Sequence, residues 1–257
     1  MIPSMLLYVP RTACLAIGYL FGCFLTGAIV VRVKTGKSAS EFGTGNPGMA
    51  NVTEIFGLKP GLIVLAGDLI KTILACSLCM FLFGSDLLED PFLHIGRISC
   101  LWGGLGAVIG HNWPFWRKFS GGKGVAVTCM AIVLFSPPWG ILADAAGMLV
   151  VLTTGYLPLG AVVITMVYPV FCFLFVSIES GILALVLMVI MFVRHWKGLV
   201  RMVRKEEDRY AMYLNPAWRR ERAAKRAAEQ MSSPEQVSES EPAARPEQMD
   251  QPNQADS

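Results

Sequence analysis

Long apolar runs separated by short polar stretches extend from about residue 13 to residue 193, and they constrain the fold more than any other feature. Charged residues make up 16% of the chain, whereas soluble domains carry about 25%. Because about 20 apolar residues form a helix that crosses the bilayer, this pattern predicts an all-α integral membrane protein. The runs predict about seven transmembrane helices, at residues 13–31, 58–84, 95–109, 125–135, 139–154, 157–176 and 181–193.

The fourth run, residues 125–135, is shorter than the others and ends at Ser136-Pro137-Pro138. A run of this length barely crosses the hydrocarbon layer, which is about 30 Å thick. Two interpretations fit. The run is a half-helix, or it belongs to a helix that begins inside the glycine-rich stretch before it.

The distribution of charge predicts how the protein lies in the membrane. Basic clusters at residues 32–37, 117–123 and 194–205 follow the first, third and seventh runs, so seven crossings place all three on one face. An acidic loop that contains Asp86 falls on the other face. Because cytoplasmic loops carry the excess of Lys and Arg, we expect the basic face to be cytoplasmic. This predicts an outside N-terminus, a cytoplasmic C-terminus and a place in the inner (plasma) membrane.

Composition divides the chain into three parts. Residues 1–207 hold the apolar runs and form the predicted membrane domain. Residues 208–231 are rich in Ala, Arg and Glu, which predicts a basic cytoplasmic segment with helical character. Residues 232–257 are mostly Pro, Glu, Gln and Ser, so we expect a disordered tail, because such a segment buries too little apolar surface to fold.

Two polar, glycine-rich stretches lie between the apolar runs. Glycine lets the backbone approach a ligand closely, and successive N–H groups can wrap an anion. The second stretch also carries a lysine. We therefore expect the two loops to meet at one membrane face and to bind phosphate groups, with candidate residues Gly43, Thr44, Gly45, Asn46 and Asn51 in the first and Gly121, Gly122, Lys123 and Gly124 in the second.

Ionisable residues inside or at the ends of apolar runs are further candidates, because burying them in a membrane is costly. Asp68 and Lys71 are three residues apart and share one helix face. They form either a self-satisfied ion pair or a wall of the binding site. His111 is either an interfacial anchor beside Trp113 or a site residue, and His195 is either an interfacial basic residue or a catalytic one.

The sequence lacks the motifs of several other classes of enzyme. The chain has no G-x-S-x-G elbow, and Lys123 precedes Gly124 rather than Ser or Thr, so it has no Walker A motif. No histidine has an aspartate five residues later. The cysteines lie in apolar runs and are expected to pack as small hydrophobic side chains, and Cys76-x-x-Cys79 has no second ligand pair nearby. We expect no metal, no cofactor and no nucleic-acid partner.

Five motifs now carry a resemblance to a known family. In chain order they are Gly43-Thr44-Gly45-Asn46-Pro47-Gly48-Met49-Ala50-Asn51, Gly67-Asp68-x-x-Lys71, Gly110-His111, Gly121-Gly122-Lys123-Gly124-Val125-Ala126, and His195 after the last run. Over about residues 14–207 their order and spacing resemble the PlsY family. These are the bacterial acyl-phosphate-dependent glycerol-3-phosphate acyltransferases.

The resemblance implies a reaction in phospholipid synthesis. A fatty acyl group moves from acyl phosphate to the 1-position of sn-glycerol 3-phosphate, which gives lysophosphatidic acid and phosphate. The implied partners are these two substrates and the lipid bilayer, and no protein partner is implied.

The resemblance also implies roles for individual residues. His195, Lys123 and Thr44 are the implied catalytic residues, and either His195 or the donor's own phosphate takes the hydroxyl proton. Lys123 and Arg201 neutralise phosphate charge, and backbone N–H groups stabilise the oxyanion. The implied substrate-binding residues are Gly43, Gly45, Asn46, Asn51, Asp68, Lys71, His111, Gly121, Gly122, Gly124, Arg201 and Glu207.

The chain departs from the family's pattern at three places. Ser40 stands where the family typically has arginine, and Thr44 replaces its serine but keeps the hydroxyl. After His195 the family usually reads R-x-N, whereas this chain reads Trp196-Lys197-Gly198. Either Lys37 or Lys197 substitutes for the lost contacts, or the chain is a paralogue that acylates a different phosphorylated acceptor.

Two other classes of protein also fit the composition. An organic-anion transporter or channel would use intramembrane charges and broken helices, but the two halves of this chain show no internal repeat. A non-catalytic membrane scaffold would act through the C-terminal tail.

Overall fold

The computed structural model describes residues 8–84 and 95–209, together with six residues between 217 and 225. Every regular element in these parts of the chain is helical, as the apolar runs predict. The α-helices, numbered in chain order, are α1 (Val9–Gly22), α2 (Thr26–Thr35), α3 (Met49–Phe56), α4 (Leu58–Phe83), α5 (Ile98–Asn112), α6 (Val125–Phe135), α7 (Pro137–Thr154), α8 (Leu157–Phe175) and α9 (Ile178–Val203).

Helix α5 is the centre of the bundle, since twelve of its fifteen residues are buried. Helix α1 packs on it so closely that glycine is required on both helices. A methyl group on Gly18 would collide with the carbonyl oxygen of Gly103, and one on Gly106 or Gly110 would collide with the backbone of α1. Small residues that let two backbones approach are typical of helix pairs inside membranes.

Large apolar side chains also cover the outside of the bundle. Leu149, Leu152 and Leu174 are 60% or more exposed, which suits a surface that faces lipid. Five segments of the described chain are long and apolar enough to cross a membrane: Val9–Thr35, which joins α1 and α2, and the helices α4, α7, α8 and α9. Helices α5 and α6 are shorter, so the predicted number of seven crossings is not reached by length alone.

Helix α6 has the bounds that the sequence predicts for the weak fourth run. It begins at Val125, directly after Gly124, and ends at Phe135. The half-helix interpretation is therefore the one that the structure supports. Because α5 and α6 are both short, the chain between them, residues 113–124, lies level with the middle of α4, where His111 contacts Lys71.

The first predicted run forms two helices with a break between them. The sequence pattern did not indicate this break. Helix α1 ends at Gly22, Leu25 has extended backbone angles, and α2 begins at Thr26. The break leaves carbonyl groups without partners in the helix. Side chains from elsewhere take them up: Lys71 donates to the oxygens of Gly22 and Phe24, and Trp116 donates to Cys23.

Contacts between helix ends show that both glycine-rich loops lie at the same end of the bundle. Glu179, at the start of α9, pairs with Arg11, near the start of α1. Arg97, before α5, donates to the carbonyl of Phe135 at the end of α6. These residues mark the far end, and Gly84, after α4, also lies there because it packs on Ser99. The opposite end, the loop end, therefore holds residues 41–52 before α4 and residues 119–125 after α5.

Three predictions fall wholly or partly outside the described residues. The acidic loop with Asp86 lies in residues 85–94. The basic segment at 208–231 is described only in part, and its described residues between 217 and 225 are helical. The predicted disordered tail at 232–257 is not described. The division of the chain into three parts therefore stays a prediction.

The close packing of α1 on α5 predicts that Gly106→Ala destabilises the protein. The added methyl group meets the backbone of Leu15 and Tyr19, so the helices must separate. Overpacking of this kind costs about 1–3 kcal/mol. Thermal unfolding in detergent micelles should show a lower midpoint for Gly106→Ala. Leu149→Ala, which changes a lipid-facing side chain, is the control, and equal midpoints for the two variants would contradict the packing.

Candidate active site

The glycine–lysine loop, residues 119–125, is held between α5 and α9. The N–H of Gly121 donates to the carbonyl of Asn112 at 3.1 Å, and that of Gly122 donates to His111 at 2.9 Å. From α9, one guanidinium nitrogen of Arg194 donates to the carbonyls of Gly121 and Gly122. The loop therefore has a fixed backbone, tied on one side to the end of α5 and on the other to α9.

Each glycine of this loop has a structural reason. A side chain on Gly121 would collide with the carbonyl of His111, and one on Gly122 would collide with the His111 ring. Gly124 has a φ of +79° and lies 2.7 Å, measured to the position a Cβ would take, from the amide oxygen of Asn112. Larger residues at these positions would push the loop away from α5.

The loop ends at the start of α6, which is suited to bind an anion. The first turn of a helix has N–H groups without intrahelical partners and a partial positive charge. Lys123 comes two residues before that turn. Burial lowers the pKa of the Lys123 ammonium, the carboxylate of Glu207 opposes this, and Arg201 and Arg194 lower the pKa further. An ammonium in this position gains stability when an anion binds beside it.

Helix α9 contributes a histidine beside Lys123. Met191, His195 and Gly198 are buried at the spacing of one helix face. His195 Nδ1 lies 3.0 Å from the carbonyl of Met191, which can only accept, so Nδ1 carries the proton. The neutral ring then has an unprotonated Nε2 that can accept a proton.

After α9 the chain turns back and places a carboxylate beside the cations. Lys205 has a φ of +58°, and the N–H of Glu206 donates to the carbonyl of Arg201. Arg201 Nε then donates to Glu207 Oε2 at 2.6 Å, with the Glu207 side chain almost fully buried. The structure thus brings together five predicted or neighbouring residues: Lys123, Arg194, His195, Arg201 and Glu207.

The first glycine-rich loop is organised by Asn51, the third residue of α3. Its amide oxygen accepts from the N–H of Thr44 at 2.8 Å and from the Thr44 hydroxyl at 3.1 Å. Its amide nitrogen donates to the carbonyls of Phe42 and Asn46. Asn51 therefore shapes the loop from inside, while Thr44 is exposed at the surface.

Glycines and a second asparagine complete this first loop. Gly43 and Gly45 have φ of +60° and +73°, in the region that glycine favours. Asn46 Oδ1 accepts from the N–H of Gly48, which closes a turn. The loop packs on α2, because Gly27 lies directly against the carbonyl of Pro47.

A third group of predicted residues is buried beside the glycine–lysine loop. Lys71 Nζ lies 2.8 Å from Asp68 Oδ1 and 2.8 Å from His111 Nδ1. All three side chains are at most 4% exposed as residues. Of the two interpretations of Asp68 and Lys71, this geometry favours the buried ion pair over an open wall of a binding site.

Arg194 is a site residue that reasoning from the sequence missed. It lies in the basic cluster after the last apolar run, where it reads as a signal for membrane orientation. In the structure its guanidinium packs over the ring of Trp113, 5.5 Å from the centroid, and holds the glycine–lysine loop. Its position directly before His195 was the one available signal.

The structure also describes the positions where the chain departs from the family pattern. Lys37 and Lys197 are both exposed, and Lys197 lies off the buried face of α9 that His195 and Gly198 share. Gly198 packs on α8, where Pro158 Cγ lies 2.8 Å from the position a Cβ would take. Lys197 therefore does not occupy the space of the missing asparagine side chain.

Taken together, these features define a helical integral membrane protein with a glycine–lysine loop at a helix N-terminus and a cluster of cations around it. Residues 12–205 match the family model described as glycerol-3-phosphate acyltransferase. The chain belongs to this family, and the resemblance found in its motifs is confirmed.

Individual relatives agree with this assignment. The chain is 35% identical over 186 residues to glycerol-3-phosphate acyltransferase 1 of Lactobacillus johnsonii, which covers 72% of this chain and 85% of the relative. It is 31% identical over 195 residues to glycerol-3-phosphate acyltransferase of Bacillus subtilis, with coverages of 75% and 94%.

Solved structures show the same fold. The crystal structure of PlsY (YgiH), an integral membrane glycerol 3-phosphate acyltransferase, in its glycerol 3-phosphate form, superposes with a TM-score of 0.66 at 24% identity. It covers 77% of this chain and 94% of that one. The lysophosphatidic acid form of the same protein gives a TM-score of 0.64.

The packing at Gly198 predicts that restoring the family's asparagine alone destabilises the protein. In Gly198→Asn the new side chain meets Pro158, so we expect a lower thermal midpoint, by an amount that corresponds to about 1–3 kcal/mol. Gly198→Asn combined with Pro158→Ala should recover most of the loss, because the ring that causes the collision is gone. A single Gly198→Asn variant as stable as the parent would show that the space is open.

Proposed function

We propose that the protein transfers a fatty acyl group from an acyl phosphate to the 1-hydroxyl of sn-glycerol 3-phosphate. The products are 1-acyl-sn-glycerol 3-phosphate and inorganic phosphate. The names of its relatives support the acceptor and the type of reaction. The single observation that carries the proposal is the cluster of Lys123, Arg194 and Arg201 at the N-terminus of α6.

The charge of this cluster suits a phosphate monoester. Three cations and the one carboxylate of Glu207 act on one another there, which leaves two net positive charges. A phosphate monoester carries about −1.5 to −2 charges at neutral pH. Arg201 is already neutralised in part by Glu207, so Lys123 and the N–H groups of α6 are the main anion contacts.

The reaction balances without a metal or an organic cofactor. The 1-hydroxyl oxygen of the acceptor forms a bond to the acyl carbon, and the bond from that carbon to the phosphate oxygen breaks. Donors at the start of α6 would stabilise the oxyanion that develops on the acyl carbonyl. Two anionic substrates in one site also gain from proximity, which reduces the entropy cost of reaction.

The hydroxyl proton has two acceptors available, His195 Nε2 and the departing phosphate. Replacing His195 by Gln separates them. If the histidine takes the proton, kcat should fall about 10²-fold or more while the KM for sn-glycerol 3-phosphate changes little. Steady-state phosphate release measures both constants, and full turnover by His195→Gln would assign the proton to the phosphate.

The membrane domain offers a place for the acyl chain. A groove of about 590 Å³ lies between the α1–α2 break and α4. Its lining is almost wholly apolar, with Leu20, Phe21, Phe24, Ile70 and Leu74 along it. We propose that the donor's chain lies in this groove while its phosphate stays at the loop end.

The proposed orientation follows the positive-inside rule. The loop end carries the basic clusters of residues 32–37, 117–123 and 194–205. If α5 and α6 are counted as short crossings, the chain crosses seven times, and the rule then assigns this end to the cytoplasm and the N-terminus to the outside. The enzyme then meets both phosphorylated substrates at the inner face of the plasma membrane.

One observation favours a second candidate, a paralogue that acylates a different phosphorylated acceptor. Ser40 and Gly198 stand where the family has an arginine and an asparagine, and Pro158 packs against Gly198. A changed contact on this side of the cluster would alter which hydroxyl compound fits. No contact among the residues that the structure describes favours an organic-anion transporter, and the tail through which a scaffold would act lies outside them.

Release of inorganic phosphate from palmitoyl phosphate by the purified protein tests the proposal. We expect phosphate release that depends on sn-glycerol 3-phosphate. We also expect a lipid product that contains both the palmitoyl chain and glycerol 3-phosphate. Release with another phosphorylated polyol, but not with glycerol 3-phosphate, would select the paralogue. Release without any acceptor, or no release at all, would contradict acyl transfer.

In the same assay Lys123→Met should lower kcat/KM by about 10²-fold or more, because it removes the central cation of the anion site. Lys59→Met is the matched control, since Lys59 is an exposed lysine at the loop end on α4. It should keep the activity of the parent. Equal activities of the two variants would remove Lys123 from the site.

A further inference from the structure

The ammonium group of Lys71 has no donor left for a substrate. It has three hydrogens, and four acceptors surround it. These are Asp68 Oδ1, His111 Nδ1 and the carbonyl of Phe24, each at 2.8 Å, and the carbonyl of Gly22 at 3.3 Å. The lysine is 3% exposed.

These contacts join three parts of the chain that are distant in sequence. The two carbonyls belong to the α1–α2 break, Asp68 and Lys71 belong to α4, and His111 belongs to α5. A cation at the end of α1 is also favoured by the negative end of the helix dipole. Lys71 therefore stabilises a break that α1 and α2 could not maintain alone.

His111 extends this connection to the glycine–lysine loop. Lysine only donates, so Nδ1 of His111 accepts and Nε2 carries the proton. The ring edge with Nε2 lies directly against Gly122, and the His111 carbonyl accepts the N–H of Gly122 at 2.9 Å. Any rotation of the His111 ring would move the residue that precedes Lys123.

We propose that Asp68, Lys71 and His111 are positioning residues, which hold the glycine–lysine loop in a fixed relation to the α1–α2 break and do not bind the phosphate group of either substrate. The effect on turnover rests on the proposed acyl transfer, whereas the effect on the loop does not. A phosphate that took Lys71 would leave the carboxylate of Asp68 and two carbonyls buried without their donor. Leaving one partner of a buried ion pair uncompensated is strongly destabilising.

A double-mutant cycle tests the proposal. Asp68→Asn with Lys71→Met removes the ion pair without leaving an uncompensated charge, His111→Gln removes the ring, and the triple variant combines them. Arg11→Met with Glu179→Gln removes an ion pair at the far end and is the matched control. For each variant, thermal midpoint, kcat, and KM for palmitoyl phosphate and sn-glycerol 3-phosphate are measured.

We expect the ion-pair variant and His111→Gln each to lower kcat by about tenfold to a hundredfold, because small displacements of a positioned group have effects of this size. Both KM values should stay within about threefold. The kcat of the triple variant should lie at most about threefold below that of the less active of the other two variants, since the effects of residues that act as a unit are not additive. The far-end control should keep the kcat of the parent.

Other results would overturn the proposal. A raised KM for sn-glycerol 3-phosphate with unchanged kcat would show that these residues bind the substrate. Losses that multiply in the triple variant would show that Lys71 does not act through His111, and full activity of the ion-pair variant would show that no positioning occurs.

Hydrogen exchange of residues 119–125 gives a readout that needs no substrate and no folded ion-pair variant. His111→Gln should raise exchange in this loop relative to the parent, and unchanged exchange would overturn the proposal. If the parent releases no phosphate in the assay but His111→Gln still loosens the loop, acyl transfer fails and the positioning role stands.

Discussion

The contact between the Lys71 ammonium and the broken end of α1 is the interaction on which the loop end depends. A helix break inside a membrane leaves carbonyl groups that water cannot reach, and each would cost several kcal/mol if it stayed unpaired. Lys71 supplies donors to the Gly22 and Phe24 carbonyls, and Trp116 supplies one to Cys23. The break lets α2 turn toward α4, and α2 in turn supports the first glycine-rich loop through Gly27 and Pro47.

Lys71 and Lys123 therefore have different tasks. Lys71 is surrounded by protein acceptors and contributes its charge to the fold. Lys123 lies beside a helix N-terminus and other cations, where burial already lowers its pKa. A bound phosphate would relieve that unfavourable environment. In the proposed site, this division would let a membrane protein bury one lysine in its interior and keep another cation for an anionic substrate.

Much of the fold follows from the apolar runs, because helices in a membrane must satisfy their own backbone. The bounds of α6 and the i, i+3 pairing of Asp68 and Lys71 were predicted in this way. The glycine-rich loops were also predicted. A signal for membrane orientation needs the charge of Lys123 but not the glycines Gly121 and Gly122 beside it.

The rest depends on contacts between residues distant in sequence. The break after Gly22 is stabilised by Lys71, 49 residues away, which donates to the Gly22 carbonyl. Arg194 looked like an orientation signal until its contacts with the loop 72 residues earlier were visible. Asn51 was predicted to bind substrate, but its amide oxygen and nitrogen are both used inside its own loop. No local pattern distinguishes these roles.

A density map of the protein with bound sn-glycerol 3-phosphate tests the central claim most directly. It should place the phosphate oxygens about 3 Å from Lys123 Nζ and from the first N–H groups of α6. Lys71 should keep its contacts with Asp68, His111 and the Phe24 carbonyl. A phosphate bound to Lys71, or one at the far end of the bundle, would contradict the account.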